Sequence, residues 1–264
     1  MTDTIIRPKS LQAHLEARRA EGRKLLLPYV TAGVVPDWVE LVEAVIDAGA
    51  DAVEIGIPFS DPAMDGPTIQ QASDQALANG ITPAGALDAL RNREFAVPLI
   101  AMTYYNLVYR YGPARFAADL AGAGLSATIL PDLPVEAAGE WLEAADQHGI
   151  ENVLLAAPVS SDERLQMLGQ RTKGFLYAVS TMGTTGEREA LDQAASVLAQ
   201  RVQAATDVPV LIGFGISTPE HAVTASRVSD GVITASALMR TLLDGGSIDD
   251  VAAQVAAMRA ALDA

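Results

Sequence analysis

Short apolar runs, often β-branched, alternate along the chain with longer stretches rich in Ala, Leu and Glu. This is the pattern of repeated strand–helix units around a parallel sheet. Eight strands are predicted: 25–31, 52–57, 97–104, 127–130, 152–157, 175–180, 208–213 and 231–236. The segments between them read as helices; in residues 36–50 the apolar positions recur at intervals of three and four. Eight such units in 264 residues predict an α/β architecture, a single (β/α)8 TIM barrel, which typically takes about 250 residues. An amphipathic helix near residues 10–23 is expected to close the bottom. No GxGxxG follows the first strand, which argues against an open dinucleotide-binding sheet. With no linker or low-complexity segment, one domain over 1–264 is expected.

Barrels of this kind carry their sites in the loops after the strands. Three connections read as long: 58–66, 105–112 and 181–189. In the second strand, alternation sets Val53, Ile55 and Ile57 on one face and Ala52, Glu54 and Gly56 on the other. Glu54 should therefore point into the barrel, lose hydration and rise in pKa until it can both give and take a proton. The plain alternative is a buried carboxylate satisfied by a hydroxyl or a cation. Asp61 and Asp65 follow in PFSDPAMDGP, where Asp-Pro and Asp-Gly are also ordinary turn signals.

Glycine and hydroxyl residues gather after the later strands: Gly183-Thr184-Thr185-Gly186, Gly213-Phe214-Gly215-Ile216-Ser217 and Thr234-Ala235-Ser236-Ala237. Loops of this composition beside a short helix N-terminus form the recurrent phosphate site of these barrels. The net charge of -15 excludes nucleic acid and anionic membrane as expected partners, but backbone amides can hold an anion locally. The first residues contain no apolar signal core, and no later apolar run is long enough to span a membrane; a cytoplasmic protein is expected.

The chain has no cysteine, and His14, His148 and His221 lack ligand spacing and read as surface or capping residues. No metal site is expected. Of the three lysines, Lys9 is in the N-terminal arm, and Lys24 and Lys173 precede strands, at the end opposite the active face. Carbon–carbon cleavage would then need a substrate that accepts the electrons itself, with carboxylates moving the protons. Tyr29, Met102, Ile129, Tyr177 and Phe214 lie on or just after different strands. They could line a flat aromatic pocket, or simply pack the core.

The run VEIGIPFSDPAMDGPTIQ, with YYNLV at 104–108, LPDLP at 130–134, GTTG at 183–186 and GFGIS at 213–217, resembles the tryptophan synthase α subunit family in order and spacing. The similarity extends from about residue 10 to 262. It implies retro-aldol cleavage of indole-3-glycerol phosphate to indole and glyceraldehyde 3-phosphate, with the indole ring as electron sink. Glu54 matches the catalytic glutamate and Asp65 the aspartate that bonds the indole N–H. Thr185 matches a threonine that holds this aspartate when the loops close, and Tyr177 a tyrosine at the reacting centre. The resemblance sets Tyr29, Met102, Ile129 and Phe214 beside indole, and Gly186, Gly215, Ala235 and Ser236 around the phosphate. It implies no cofactor in this chain. Asp61 and Asn106 match positions facing a pyridoxal-phosphate-dependent β subunit in an αββα assembly.

The chain departs from the family pattern at three places. Gly33-Val34-Val35-Pro36 replaces a Gly-Asp-Pro, Ala235 replaces a glycine, and SRVSD before the eighth strand is one residue short. The last two carry an expectation of weakened phosphate binding. Competing readings are a stand-alone lyase releasing free indole and a weakly active α-like subunit that mainly activates β. A sugar-phosphate isomerase would need two opposed acid–base carboxylates on other strands, for which Asp132, after the fourth strand, is the one candidate.

Overall fold

The computed structural model describes residues 9–179, 197–213 and 215–264. Eight parallel strands close into a barrel in sequence order: β1 Leu25–Thr31, β2 Val53–Gly56, β3 Leu99–Met102, β4 Leu125–Ile129, β5 Glu151–Ala156, β6 Leu176–Ala178, β7 Val210–Ile212 and β8 Gly231–Thr234. Closure comes from β8 pairing with β1, Leu25 beside Gly231 through Pro28 beside Thr234. A side chain at Gly231 would collide with the Leu25 carbonyl, 2.3 Å from a Cβ. Glycine is needed there for space.

The helices are α1 Leu11–Ala20, α2 Trp38–Asp47, α3 Pro67–Ala78, α4 Pro83–Leu90, α5 Tyr105–Tyr111, α6 Pro113–Gly122, α7 Gly139–His148 and α8 Asp162–Arg171. They continue with α9, described over 197–203, α10 Pro219–Ser226, α11 Ser236–Leu243 and α12 Ile248–Leu262. The period-three-and-four pattern of 36–50 is realised in α2, which buries Trp38, Val39, Leu41, Val42 and Val45. Segment 105–112 is not an open loop: it is the short helix α5, ended by Gly112 at φ +93° before Pro113 starts α6. Three apolar residues, Tyr105, Leu107 and Val108, pack against the outer core and hold this turn of helix.

The strand alternation holds. Val53, Ile55 and Ile57 join the outer core between barrel and helices. Ala52, Leu25, Leu27, Ile100, Ala127, Ile129 and Tyr177 fill the barrel interior, which Leu11 and Leu15 of α1 plug from below.

That lower end is tied by Asp51, which is fully buried. Its carboxylate accepts from Leu26 N at 2.9 Å, Arg23 Nε at 2.7 Å and Arg259 Nη1 at 3.3 Å, with Arg18 Nε at 3.7 Å. Arg259 also donates to Lys24 O and pairs with Asp263, so one carboxylate joins α1, β1 and α12. His14 is not the surface residue expected from the sequence. It lies half-buried on α1 near Arg18 and Asp51, and its burial lowers the imidazole pKa.

The short turn before β8 belongs to the same end. Ser229 Oγ donates to Ala225 O and Gly231 O, Lys24 Nζ donates to Ser229 O, and Asp230 accepts from Val210 N. Its shortened form therefore lies at the opposite end of β8 from Ala235, and the expectation that it disturbs phosphate binding is withdrawn.

Removing one member of a buried ion-pair cluster strands its partners, at about 3–5 kcal/mol. Asp51→Ala is expected to lose stability on that scale in a urea titration while the folded fraction keeps its activity per molecule. An unchanged midpoint would show that Asp51 does not tie the lower end together.

Candidate active site

Glu54 lies in the barrel interior, 1 % exposed, in register with Tyr29 on β1 and Ile100 on β3. Its Oε1 is buried and has no hydrogen-bond partner among the described residues. Burial, with no compensating bond or cation, pushes its pKa up to about 8. Among the described residues no hydroxyl or cation satisfies this oxygen, as the alternative of a neighbour-satisfied carboxylate would require.

The two phenols beside it are placed by glycines. A Cβ on Gly56 would sit 1.8 Å from the Tyr29 hydroxyl, and one on Gly213 would sit 2.0 Å from that of Tyr177. Each missing side chain makes room for a ring. The Tyr177 hydroxyl donates to Gly213 O at 3.5 Å. Burial raises both phenols, and the charges of Glu54 and Asp65 add to this in each case, so both stay neutral donors in the working range. Met102 stands beside Gly56 and Ile129 beside Met102 in the strand register. Ile129 is fully buried in the interior cluster and Met102 packs at its edge.

Asp65 hangs over this interior from the loop between β2 and α3. The loop is pinned: Phe59 stacks against Tyr104 with ring centroids 5.2 Å apart, Asp65 N donates to Pro62 O, and Gln70 Nε2 donates to Asp65 O at 2.8 Å. Met64 N donates to the Tyr104 hydroxyl at 2.9 Å. Burial pushes the Asp65 pKa up to about 6, with the Tyr104 hydroxyl pulling the other way. Glu54 and Asp65 both act on Tyr29 and on Tyr177, so these four groups share one site. Asp61 is exposed, with Ser60 Oγ donating to it, and Asn106 is exposed on α5.

Tyr104 was not among the sequence candidates. The signal was the same alternation that exposed Glu54, since Ile100, Met102 and Tyr104 fall on one side of β3 and its extension. Asp132, by contrast, accepts from Tyr105 N at 2.8 Å and so ties down the start of α5. An exposed residue engaged in this way does not supply the isomerase reading with an opposed carboxylate on another strand.

The ends of β7 and β8 present the other half of the site. Gly215 has φ +73° and nothing near its Cβ direction. α10 is capped by Thr218, which accepts from His221 N, and α12 by a reciprocal Ser247–Asp250 box. Helix α11 between them has no side-chain cap and no acid in its first turn, and Ser236 opens it exposed. Among the described residues, no capping side chain competes for its leading N–H groups, which could take an anion. Ala235 stands before it with a negative φ of -130°, so the backbone is not the left-handed one that glycine alone suits, and it packs against the outer core. Thr185, Gly186 and Phe214 lie outside the described residues.

The lysines keep to the far end, where Lys9 Nζ donates to Phe95 O and Ala96 O, Lys24 Nζ to Ser229 O, and Lys173 Nζ pairs with Asp146. Among the described residues no group of three His, Asp or Glu side chains could hold a metal ion, and no helix is long and apolar enough to cross a membrane.

The family model described as tryptophan synthase alpha chain matches residues 15–263. The tryptophan synthase alpha chain of Streptomyces avermitilis is 42% identical over 258 residues, covering 96% of this chain and 92% of that one. That of Salinispora tropica is 45% identical over 236 residues, 87% of each. Among solved structures, tryptophan synthase from M. tuberculosis superposes with a TM-score of 0.87 at 35% identity, covering 96% of this chain and 99% of that chain. The alpha subunit from Legionella pneumophila superposes with a TM-score of 0.87 at 33% identity, covering 96% and 98%. The chain belongs to the tryptophan synthase alpha chain family and is a lyase-type subunit of tryptophan biosynthesis.

Proposed function

We propose that this chain cleaves indole-3-glycerol phosphate to indole and glyceraldehyde 3-phosphate by acid–base chemistry alone, with Glu54 and Asp65 as its two proton carriers. The observation that carries the reading is the buried, unpartnered Oε1 of Glu54 at the same mouth as Asp65. With its pKa about 8, Glu54 is protonated near neutrality and can deliver its proton to the ring carbon bearing the side chain. Asp65, about 6, is mostly ionised there and can take the proton from the ring nitrogen. The ring is then an electron sink. As the carbon–carbon bond breaks, its electron pair enters the ring, Glu54 takes the proton of the adjoining glycerol hydroxyl, and Asp65 returns its proton to nitrogen. Both carboxyls end as they began.

Tyr29, Met102, Ile129, Tyr177 and Phe214 would enclose the ring. Gly186, Gly215, Ala235, Ser236 and the start of α11 would hold the phosphate, and Thr185 would bond Asp65 on closure. The lysines at the opposite end support a route without a Schiff base. Pyridoxal phosphate is assigned to a partner β subunit, docked over the loop bearing Asp61 and the helix α5 bearing Asn106, where Met64 and Tyr109 also stand exposed. Ala235 had favoured an impaired α-like subunit; its negative φ removes the backbone ground for that reading and leaves the methyl group as the remaining one. We assign the protein to the cytoplasm.

The direct test is indole release from indole-3-glycerol phosphate by the purified protein, with and without a β subunit. No release under either condition would sink the reading. Glu54→Gln is expected to lower turnover by about a hundred- to ten-thousand-fold with ligand binding retained, and near-normal turnover would remove Glu54 from the mechanism.

The same variant should change stability in a pH-dependent way. A carboxyl whose folded pKa is raised to about 8 binds its proton more tightly folded than unfolded, so it lowers stability as pH climbs from the ordinary carboxylate range to about 8. Glu54→Gln should therefore match the parent in thermal midpoint near pH 4 and exceed it by several degrees near pH 8. Parallel midpoints across that range would contradict the raised pKa.

Ala235→Gly should leave glycerol 3-phosphate affinity unchanged or loosen it slightly, since the glycine adds chain entropy worth about 0.4–1 kcal/mol. A clear gain in calorimetric affinity would show the methyl group to be an obstacle.

A further inference from the structure

We propose that Tyr104 is the positioning residue for Asp65, its phenol oxygen taking the Met64 N–H and its proton going to the Asp65 carboxylate. The reading of Asp65 as a proton carrier is assumed only for the activity measurements below. The geometry begins with the ring. Tyr104 follows β3 directly, is 5 % exposed, and lies against Phe59 of the β2–α3 loop at 33° between planes. A ring fixed between its own strand and the neighbouring loop has one place for its hydroxyl.

That hydroxyl accepts from Met64 N at 2.9 Å. A phenol has one proton, and with the oxygen receiving a backbone bond the proton is left for an acceptor. Asp65 is the next residue on the same turn, and its carboxyl is near enough to Tyr104 for the hydroxyl to offset part of the burial that raises it. Among the described residues, the other titratable groups facing Asp65 are Tyr29 on β1 and Tyr177 on β6, with Glu54 below on β2. The two tyrosines are neutral, and among the described residues the Tyr104 hydroxyl is what opposes the effect of burial on Asp65. Asp61, in the same loop, is turned outward to Ser60.

Two consequences follow from one bond. The carboxylate is held in orientation before substrate arrives, and its ionised form is stabilised against the dry surroundings. Both serve a group that must accept a proton near neutrality. A bare Phe would pack equally well against Phe59 and do neither.

The test replaces Tyr104 by Phe in the full-length chain and follows the Asp65 carboxyl by carbon NMR without substrate, Asp65→Asn supplying the assignment. Its titration midpoint is expected to rise by roughly one pH unit. In the cleavage assay the acid limb of the pH–rate profile should move up with it while the alkaline limb, set by Glu54, stays. At mid-range pH, kcat should fall about tenfold or more, as for a lost bond to a charged group, with KM little changed. A second variant works in the opposite direction: difluorotyrosine at position 104 is a stronger donor and should lower the Asp65 midpoint. An unmoved midpoint in either variant overturns the proposal. Failure of the parent protein to cleave the substrate would instead overturn the proposed function, since the titration is read without it.

Discussion

Closure of β8 onto β1 is the constraint on which the rest depends. With the sheet left open, the face of β2 that carries Glu54 would have no opposing strands to bury it. Closed, and plugged from below by Leu11 and Leu15, it makes the interior dry around the one acid that points inward. The raised pKa of Glu54 follows from that geometry, because burial is its whole cause. Gly231 is thus tied to the chemistry without being near it: it admits the close approach to Leu25 that completes the ring, and the completed ring determines whether Glu54 carries a proton.

Two buried carboxylates show how differently one fold can treat the same group. Asp51, at the lower end, is surrounded by donors from α1, β1 and α12. Glu54, about halfway up the barrel, has an oxygen with no partner among the described residues. Buried polar atoms are ordinarily satisfied, so the exception calls for an explanation. Asp51 is a structural tie whose bonds are made in the folded chain. Glu54 Oε1 is left without a bond among the described residues, which on the proposed function is what a proton-transferring group requires.

The barrel was legible in the sequence because period-two and period-three-to-four patterns follow from burial, and burial governed nearly every element. The position of Glu54 was legible for the same reason, as a polar residue on an apolar face. What could not be read depended on contacts between distant segments. Tyr104 sits in a Tyr-Tyr pair whose first ring turns inward and whose second starts α5, a division that arises when Phe59 and Met64 fold over from another loop. The negative φ of Ala235, which packs against the outer core, was likewise not legible, because composition alone left a glycine-only backbone open there. The shortened turn before β8 was mislocated for a simpler reason, since a segment preceding a strand must lie at the end opposite the one that follows it.

The acidity of the chain, set beside an anionic substrate on the proposed function, has a physical rationale. A lysine or arginine recruited for the phosphate at this mouth would stand close to Glu54 and Asp65. An adjacent cation favours the charged form of a carboxyl, so it would pull Glu54 down from about 8 and ionise the acid before it could act. Backbone N–H groups at a helix start attract an anion through partial charges that fall off within a turn. The uncapped α11 offers such groups, whereas Arg240, on the same helix, is engaged with Thr68 and Gln71 of α3. Holding the phosphate by main chain and moving protons by side chain lets both halves of the site work in one small opening, because the binding half does not impose a charge that would switch off the catalytic one.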